Sequence, residues 1–280
     1  MLPVVYLNGE FLPREDARLH VSDLAILRGY GIFDYFRYLG GRPRFVEDHL
    51  DRFFRSAELL DLRMPVSRDE LRAAVLELIG RNGGGDGGIR FVLTGGYAPD
   101  GYTPTTPNLI GMAYPFSGPS PEQYANGVSV KLHRYERQFP RVKSIDYLEG
   151  IRIQPQLRAG GYDYALYVDR DDYVRESDRS NFMIVAGGTL VTPEDDLLHG
   201  ITRLHLLRLA DQLGIPTATR PVSAAELTAA DEAIICSSTK GAMPITRVDD
   251  RPVGDGKPGP VTKRLMENWE SYASGKGISN

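Results

Sequence analysis

The sequence predicts an α+β protein of two domains, a small N-terminal one over residues 1–115 and a larger one over 123–280. Three observations carry this. Short apolar runs are closed by two-residue turn pairs, the pattern of hairpins. Other stretches repeat apolar residues at helical spacing. Between the two regions, "PFSGPSPEQ" breaks both patterns with Pro, Ser and Gly, and residues 116–122 read as an interdomain linker. Strands and helices alternate too irregularly for a doubly wound parallel sheet.

In chain order, "VVYLNGEFL" is a hairpin turning at Asn8-Gly9, and "GIFDYFRYLGGRPRFV" a second one turning at Gly40-Gly41. "EDHLDRFFRSAELLDL" sets Leu50, Phe53, Phe54, Ala57 and Leu60 on one helical face. "SRDELRAAVLELIG" does the same with Leu71, Val75, Leu78 and Ile79, entered through a capping box of Ser67 and Glu70. "IRFVLTGG" and "LIGMAYPF" are strands. Beyond the linker, "GVSVKLHRY" alternates as a strand. "DYALYVDRDDYVRESDRSNFMIVAGGTLVTP" reads as successive antiparallel strands turning at Asp171-Asp172 and Gly187-Gly188. "GITRLHLLRLADQLGI" is a helix entered from Gly200 and stopped by Gly214. "EAIICSS" is a buried strand and "GPVTKRLMENWESYA" a terminal helix.

Composition narrows the function classes. Hydrophobic residues make up 41% and charged residues 25%, with 33 basic against 37 acidic side chains and a formal net charge of -4. There is no basic excess for nucleic acid and no charge block for a membrane surface. The one cysteine, Cys236, rules out an internal disulfide framework and a cysteine-cluster zinc site. With no apolar run of membrane-span length and no leader pattern at the start, a cytoplasmic protein is expected. G-x-G-x-x-G occurs at Gly83, Gly85 and Gly88, but ahead of a strand, and at Gly254, Gly256 and Gly259, but with Pro258 inside it. A dinucleotide loop has to follow a strand and open a helix. His199 and His205 are six apart, the wrong spacing for two ligands on one helix face, and no metal is expected.

What remains is a set of anion-binding features and one lysine. Thr202 and Ile201 open a helix, whose first amides lack partners and favour an anion. "CSSTKG" ends a strand with the hydroxyls of Ser238 and Thr239. Arg52 brings a guanidinium, which binds phosphate in a fixed fork. Lys143, in "PRVKSIDYLEG", lies in a run with neither helical nor strand period. Taken singly, each has a bland reading as a turn residue or a solvated charge.

Together with "LAILRGYGIFDYFR", "HLDRFFRSAELL", "YVRESDRSNFMIV" and "SSTKGAMPIT", in this order and spacing, the chain resembles the fold-type IV pyridoxal-phosphate enzymes, the class IV aminotransferase family, from "YLNGEF" almost to its end. That family comprises branched-chain aminotransferases, D-amino acid transaminases and aminodeoxychorismate lyases. The resemblance implies a small N-terminal α/β domain and a larger domain with a pseudo-barrel. It implies pyridoxal 5'-phosphate as cofactor, and a homodimer. Lys143 matches the lysine that forms the Schiff base, Glu176 the carboxylate at the pyridine nitrogen, and Tyr147 the position near the phenolic oxygen. Arg52, Ile201, Thr202, Ser238 and Thr239 match the phosphate cup. Tyr30 and Phe33 match substrate-pocket positions. The loop "YAPDGYTPTTPN" lacks the Arg-x-His carboxylate trap of the usual D-amino acid transaminases. Arg28 and Arg90 resemble the two carboxylate-binding arginines of a less usual D-amino acid group. Lys240 is a further cation, suited to a substrate side-chain carboxylate or simply solvated. The expected function is transamination between an α-amino acid, D-amino acids favoured, and an α-keto acid such as 2-oxoglutarate. An L-branched-chain aminotransferase, an aminodeoxychorismate lyase and, more distantly, a cofactor-free binding protein stay open.

Overall fold

The computed structural model describes residues 1–276. The chain forms two compact units. Of the described residues, the first holds 1–117 and 142–146, and the second 118–141 and 147–276.

In the first unit, β1 (Val4–Leu7) and β2 (Glu10–Pro13) form the first hairpin, with Asn8 and Gly9 both at positive φ as its tight turn requires. A short helix α1 (Leu24–Arg28) leads into β3 (Gly31–Leu39) and the two-residue β4 (Arg42–Pro43). Helices α2 (Val46–Leu59) and α3 (Arg68–Arg81) follow, then β5 (Gly87–Thr94) and β6 (Leu109–Pro115). The six strands form an antiparallel sheet in the order β2-β1-β6-β5-β3-β4. The expected capping box at Ser67 and Glu70 is formed in both directions. Leu50, Phe53, Ala57, Leu71, Val75, Leu78 and Ile79 pack on Ile32, Phe36, Tyr38, Ile89, Phe91 and Leu93 of the sheet. Phe54 and Leu60 join this core from its margin.

Residues 142–146 belong to this unit although the sequence assigns everything after 123 to the second domain. Val142 is buried in the first core, and Ser144 bridges Ile32. The attachment is made by main-chain groups, which leave no side-chain period to read. The expected linker also ends early, because Ser120 and Gln123 form a capping box around a helix that starts at Pro121.

That helix, α4 (Pro121–Asn126), opens the second unit. β7 (Val128–Arg134), α5 (Leu148–Arg152), α6 (Gln154–Ala159), β8 (Tyr164–Val168), β9 (Val174–Ser177), β10 (Asn181–Ala186) and β11 (Thr189–Thr192) follow. Then come α7 (Ile201–Gln212), β12 (Thr217–Thr219), α8 (Ala224–Ala229), β13 (Glu232–Ser237), β14 (Gly241–Val248), β15 (Arg251–Pro252) and α9 (Pro260–Ala273). The sheet runs β12-β11-β10-β13-β14-β7-β8-β9, with β15 on β14. β9 and β10 are therefore not ladder neighbours, contrary to a plain succession of antiparallel strands. β10 pairs with β11 and β13, while the Ser177 amide still donates to the Ser180 carbonyl at 2.7 Å. The sheet curls until its last strand meets β10, the half-barrel expected of the fold. Helix α9 has no side-chain cap at Gly259, and Glu232 of β13 supplies one by accepting from the Val261 and Thr262 amides at 2.9 and 2.8 Å. Among the described residues no helix is long and apolar enough to cross a membrane.

One buried node ties the first unit together. Asp23, 0% exposed, caps α1 through the Ala25 amide at 2.8 Å and accepts from Thr94 Oγ1 at 2.8 Å and Asn108 Nδ2 at 2.7 Å. Asn108 in turn accepts from Asn8 Nδ2 in the first turn. Asp23→Ala strands three donors and is expected to cost about 3 kcal/mol in urea unfolding; a loss below about 1 kcal/mol would show that the node is ornamental.

Candidate active site

Paired residues of an antiparallel sheet point the same way. In the first unit Ile32, Asp34, Phe36 and Tyr38 therefore face the helices, while Phe33 and Tyr35 share the opposite face with Arg90 and Tyr114. Lys143 is brought to that opposite face by its backbone. The Phe33 amide donates to the Lys143 carbonyl at 2.9 Å, and the Ile145 amide to the Gly31 carbonyl at 3.0 Å. The Lys143 amide donates to Ser56 Oγ on α2 at 3.3 Å. A Cβ at Gly31 would lie 2.8 Å from the Leu93 carbonyl and 3.1 Å from Ile145 Cδ1, so a larger residue would push the segment off the sheet. Lys143 Nζ sits 4.6 Å from the centre of the Phe33 ring. The Arg90 guanidinium sits 5.1 Å from the same centre and 5.8 Å from that of Tyr114. Phe33 thus holds an amine and a guanidinium against one ring.

On the helix side, Asp34 is a charge on an otherwise apolar strand face. Arg52 forks onto it, Nε to Oδ2 at 2.8 Å and Nη2 to Oδ1 at 2.7 Å, and His49 Nδ1 donates to Oδ1 at 2.8 Å. Burial opposes the Asp34 charge, but Arg52 and His49 outweigh it and hold the carboxyl well below the usual carboxylate range. Burial also pulls His49 below the ordinary imidazole value, against the pull of Asp34. The arginine assigned to the phosphate cup is therefore fixed by a buried carboxylate. The isolated-looking histidine is part of the same cluster.

Tyr30 falls on the helix side as well. It packs against the core, and its hydroxyl donates to the Leu60 carbonyl, away from the face shared by Phe33, Arg90 and Lys143. Arg28 closes α1 as an exposed residue, with Nη1 donating to the Leu27 carbonyl at 3.1 Å.

In the second unit Glu176 is 4% exposed. Its Oε1 accepts from Arg137 Nη1 at 2.7 Å and from the Leu198 amide at 3.2 Å, and Asn181 Nδ2 approaches Oε2 at 3.5 Å. Burial works against the Arg137 charge, yet Glu176 more than offsets it and raises the guanidinium pKa, with Tyr147 and Tyr135 adding to the effect. Tyr147, which opens α5, is thereby near the Arg137–Glu176 pair. Helix α7 starts from an extended Gly200, where a Cβ would fall 1.8 Å from Asn181 Oδ1. Glycine is what lets the start of this helix come so close to Asn181 at the head of β10. Ile201 and Thr202 are buried there. In the turn after β13, Thr239 Oγ1 lies 3.2 Å from Ser237 Oγ, next to Ser238. Lys240 ends that turn and is buried, with Nζ donating to Ser180 Oγ at 3.1 Å. Burial lowers its pKa to about 8, and Arg179 pushes the same way.

Asp34, His49, Arg137 and Asn181 were not singled out from the sequence. Only Asp34 leaves a signal there, as an acid at a core-facing position of an alternating strand.

With this geometry in hand, the family assignment follows. The family model for class IV amino-transferases matches residues 31–248. A putative branched-chain-amino-acid aminotransferase of Methanocaldococcus jannaschii is 31% identical over 281 residues, covering 98% of both chains. D-alanine aminotransferase of Staphylococcus epidermidis is 32% identical over 283 residues, covering 98% of this chain and 99% of the relative. Among solved structures, the branched-chain amino acid aminotransferase of Escherichia coli superposes with a TM-score of 0.93 at 26% identity, covering 100% of this chain and 97% of that one. The branched-chain aminotransferase of the archaeon Thermoproteus uzoniensis, with norvaline, gives 0.87 at 29% identity over 99% and 96%. The chain belongs to the class IV aminotransferases, a pyridoxal-phosphate-dependent family.

The residues present fit that cofactor. A buried carboxylate paired with Arg137 and an amide suits a protonated pyridine nitrogen. The start of α7, with the hydroxyls of Thr202, Ser238 and Thr239, suits a phosphate. Lys143 supplies an amine.

Two stability measurements check these electrostatics. Asp34, with its folded pKa depressed, contributes stability above its unfolded value of about 4 and loses it as pH falls further. Asp34→Asn removes the buried charge onto which Arg52 and His49 converge and is expected to cost about 3 kcal/mol at pH 7. A change under about 1 kcal/mol would contradict a stabilising role for the Asp34 charge. Lys240 has the opposite sign. Its folded pKa of about 8 lies below the unfolded 10.5, so its burden is full below pH 8 and disappears as pH rises toward 10.5. Lys240→Met is therefore expected to raise stability at pH 7 by on the order of 3 kcal/mol, and by much less near pH 10.5. A destabilised variant at pH 7 would contradict a strained buried charge.

Proposed function

We propose that the protein is a transaminase that passes an amino group from an α-amino acid, D-amino acids foremost, to an α-keto acid such as 2-oxoglutarate, in two half-reactions on one cofactor. The observation that carries this is the pairing of Lys143 and Arg90 on the Phe33 ring, at 4.6 and 5.1 Å from its centre. An α-amino acid offers its amine and its carboxylate on adjacent bonds. A guanidinium against the same ring as the amine that would carry the cofactor can take the carboxylate.

Pyridoxal phosphate, when bound, supplies the carbonyl that takes the amino group and the electron sink that acidifies the α-carbon. The protein does the rest. Lys143, once freed as an amine, would carry a proton from the substrate α-carbon to the cofactor's aldehyde carbon in one half-reaction and the opposite way in the other. Glu176, paired with Arg137, would hold a proton at the pyridine nitrogen, and Tyr147 would meet the phenolic oxygen. By the family resemblance the phosphate would be held by the amides of Ile201 and Thr202, the hydroxyls of Ser238 and Thr239, and Arg52, which Asp34 steadies. Arg28 and Arg90 take the α-carboxylate, and Phe33 lines the pocket. Tyr30 packs in the core behind that face, with its hydroxyl on Leu60, and is left out of the pocket.

D-alanine aminotransferase relatives at 30–32% identity support the D preference. The second reading is an L-branched-chain aminotransferase, supported by the Escherichia coli and Thermoproteus uzoniensis structures. A homodimer accords with apolar side chains exposed on α1, Ile26 and Leu27, and on α5, Leu148 and Ile151. A cytoplasmic location accords with a single, buried thiol at Cys236.

Mixing the holoenzyme with D- and L-alanine, glutamate and leucine separately, and following the absorbance of the cofactor, tests the reading. The D-enantiomers should react at least about tenfold faster. Faster conversion with L-leucine would favour the second reading, and no conversion with any would overturn both. Arg90→Ala should raise KM for amino acids at least about tenfold while changing KM for simple amines little. Equal changes for both would remove Arg90 from carboxylate binding.

A further inference from the structure

Within the second unit the residues proposed for the phosphate come from two elements. Ile201 and Thr202 stand at the start of α7, and Ser238 and Thr239 in the β13–β14 turn. An anion shared by two elements is held well only if their spacing is fixed.

Helix α9 touches both. Buried Trp269 lays its ring on Gly241, which faces Ser237 across the turn. Gly241 has φ +61°, and a Cβ there would fall 2.7 Å from both Cδ1 and Nε1 of the indole. Only glycine lets the ring come so close to the turn. Residues three apart share one face of a helix, and Tyr272 stacks on Trp269 with ring centres 6.1 Å apart and planes at 27°. The Tyr272 hydroxyl lies 2.8 Å from Nδ1 of His205. His205 is buried and stands one helical turn along α7 from Ile201. A continuous series of contacts therefore runs from the turn through Gly241, Trp269, Tyr272 and His205 to the first turn of α7. At the far end of α7 the same two helices are tied again, where Arg264 Nη2 donates to the Leu213 carbonyl at 2.9 Å.

The turn is also held by its own main chain. The Lys240 amide donates to the Ser237 carbonyl at 3.0 Å, and the Tyr124 hydroxyl of α4 donates to the Lys240 carbonyl at 2.7 Å. Ser238 and Thr239, between these anchors, stay half-buried. Burial of an indole would be served by any apolar neighbour. Here the ring rests on the glycine that closes the turn and passes the contact on to a polar pair on α7.

We infer that Trp269, with Tyr272 and His205, is a brace that sets the spacing of the two phosphate-binding elements, and so a positioning residue for the cofactor. This rests on the assignment of Ile201, Thr202, Ser238 and Thr239 to the phosphate. Lys143 and Glu176 lie outside this series of contacts. Loosening the brace should weaken the hold on the phosphate and spare the rest of the cofactor. Pyridoxal, which lacks the phosphate, measures that remainder.

The test titrates the full-length, cofactor-stripped chain with pyridoxal phosphate and with pyridoxal, following the absorbance of the bound cofactor and recording Tm alongside. The quantity read is the ratio of the two affinities. Trp269→Leu should lower the ratio at least about tenfold. Tyr272→Phe removes the hydroxyl facing His205 and little volume, and should lower it about threefold. Trp269→Phe keeps a ring against Gly241 and should retain most of the preference. Affinity for pyridoxal should hardly move in any of the three. A Trp269→Leu chain that melts lower but keeps the ratio, or that loses both ligands equally, would make the indole a packing residue and overturn the inference. Should Trp269→Leu not fold, an unchanged ratio in Tyr272→Phe would overturn it. Ser238→Ala and Thr202→Val separate the two readings. A ratio that neither of them lowers would sink the phosphate assignment and the inference with it. A ratio that they lower and the brace variants do not would sink the inference alone.

Discussion

The placement of Lys143 depends on main-chain hydrogen bonds between residues 143–145 and the start of β3. Five residues of the chain, separated in sequence from the rest of the first unit, return to its sheet and deliver one side chain to a chosen face. Backbone bonds of this kind do not depend on the neighbouring side chains, so the lysine can be held while its surroundings vary. The close approach at Gly31 and the burial of Val142 fix the register. Phe33 then provides the surface on which Nζ rests. A lysine on a free loop would spend most of its time in water, where it is protonated and of no use as a nucleophile.

Two buried acids of the candidate site are held by guanidinium groups. Asp34 is forked by Arg52, and Glu176 is met by Arg137 and an amide. Both of these buried acids have a cation fixed beside them, and each cation is thereby oriented. Such pairs add little net stability against an apolar pair of the same shape. Their value lies in direction, since a guanidinium held along one edge cannot swing. Lys240 is buried instead against a hydroxyl, that of Ser180.

Much of this was legible in the sequence, and the failures have physical causes. Hairpins were readable because Asn8-Gly9, Gly40-Gly41 and Gly187-Gly188 adopt positive φ, which few other pairs tolerate. Helix α3 was readable from its capping box. The return of residues 142–146 was not, since it is written in main-chain bonds. Nor was the separation of β9 from β10, because strand order is set by the curl of the whole sheet rather than by either strand. Tyr30 was assigned to the pocket by resemblance alone. Counting alternation back from Ile32 would have put it on the core side. Arg137, which steadies Glu176, lies in an irregular stretch with no period to mark it.

The most direct measurement is to reduce the holoenzyme with borohydride, digest it and locate the pyridoxyl-bearing peptide by mass spectrometry. The expected label is on Lys143, within "VKSIDYLEGIR" if the cut follows Arg141 and Arg152. A label on Lys240, the other lysine drawn out of solvent, or no label at all, would contradict the assignment of Lys143 as the reacting amine.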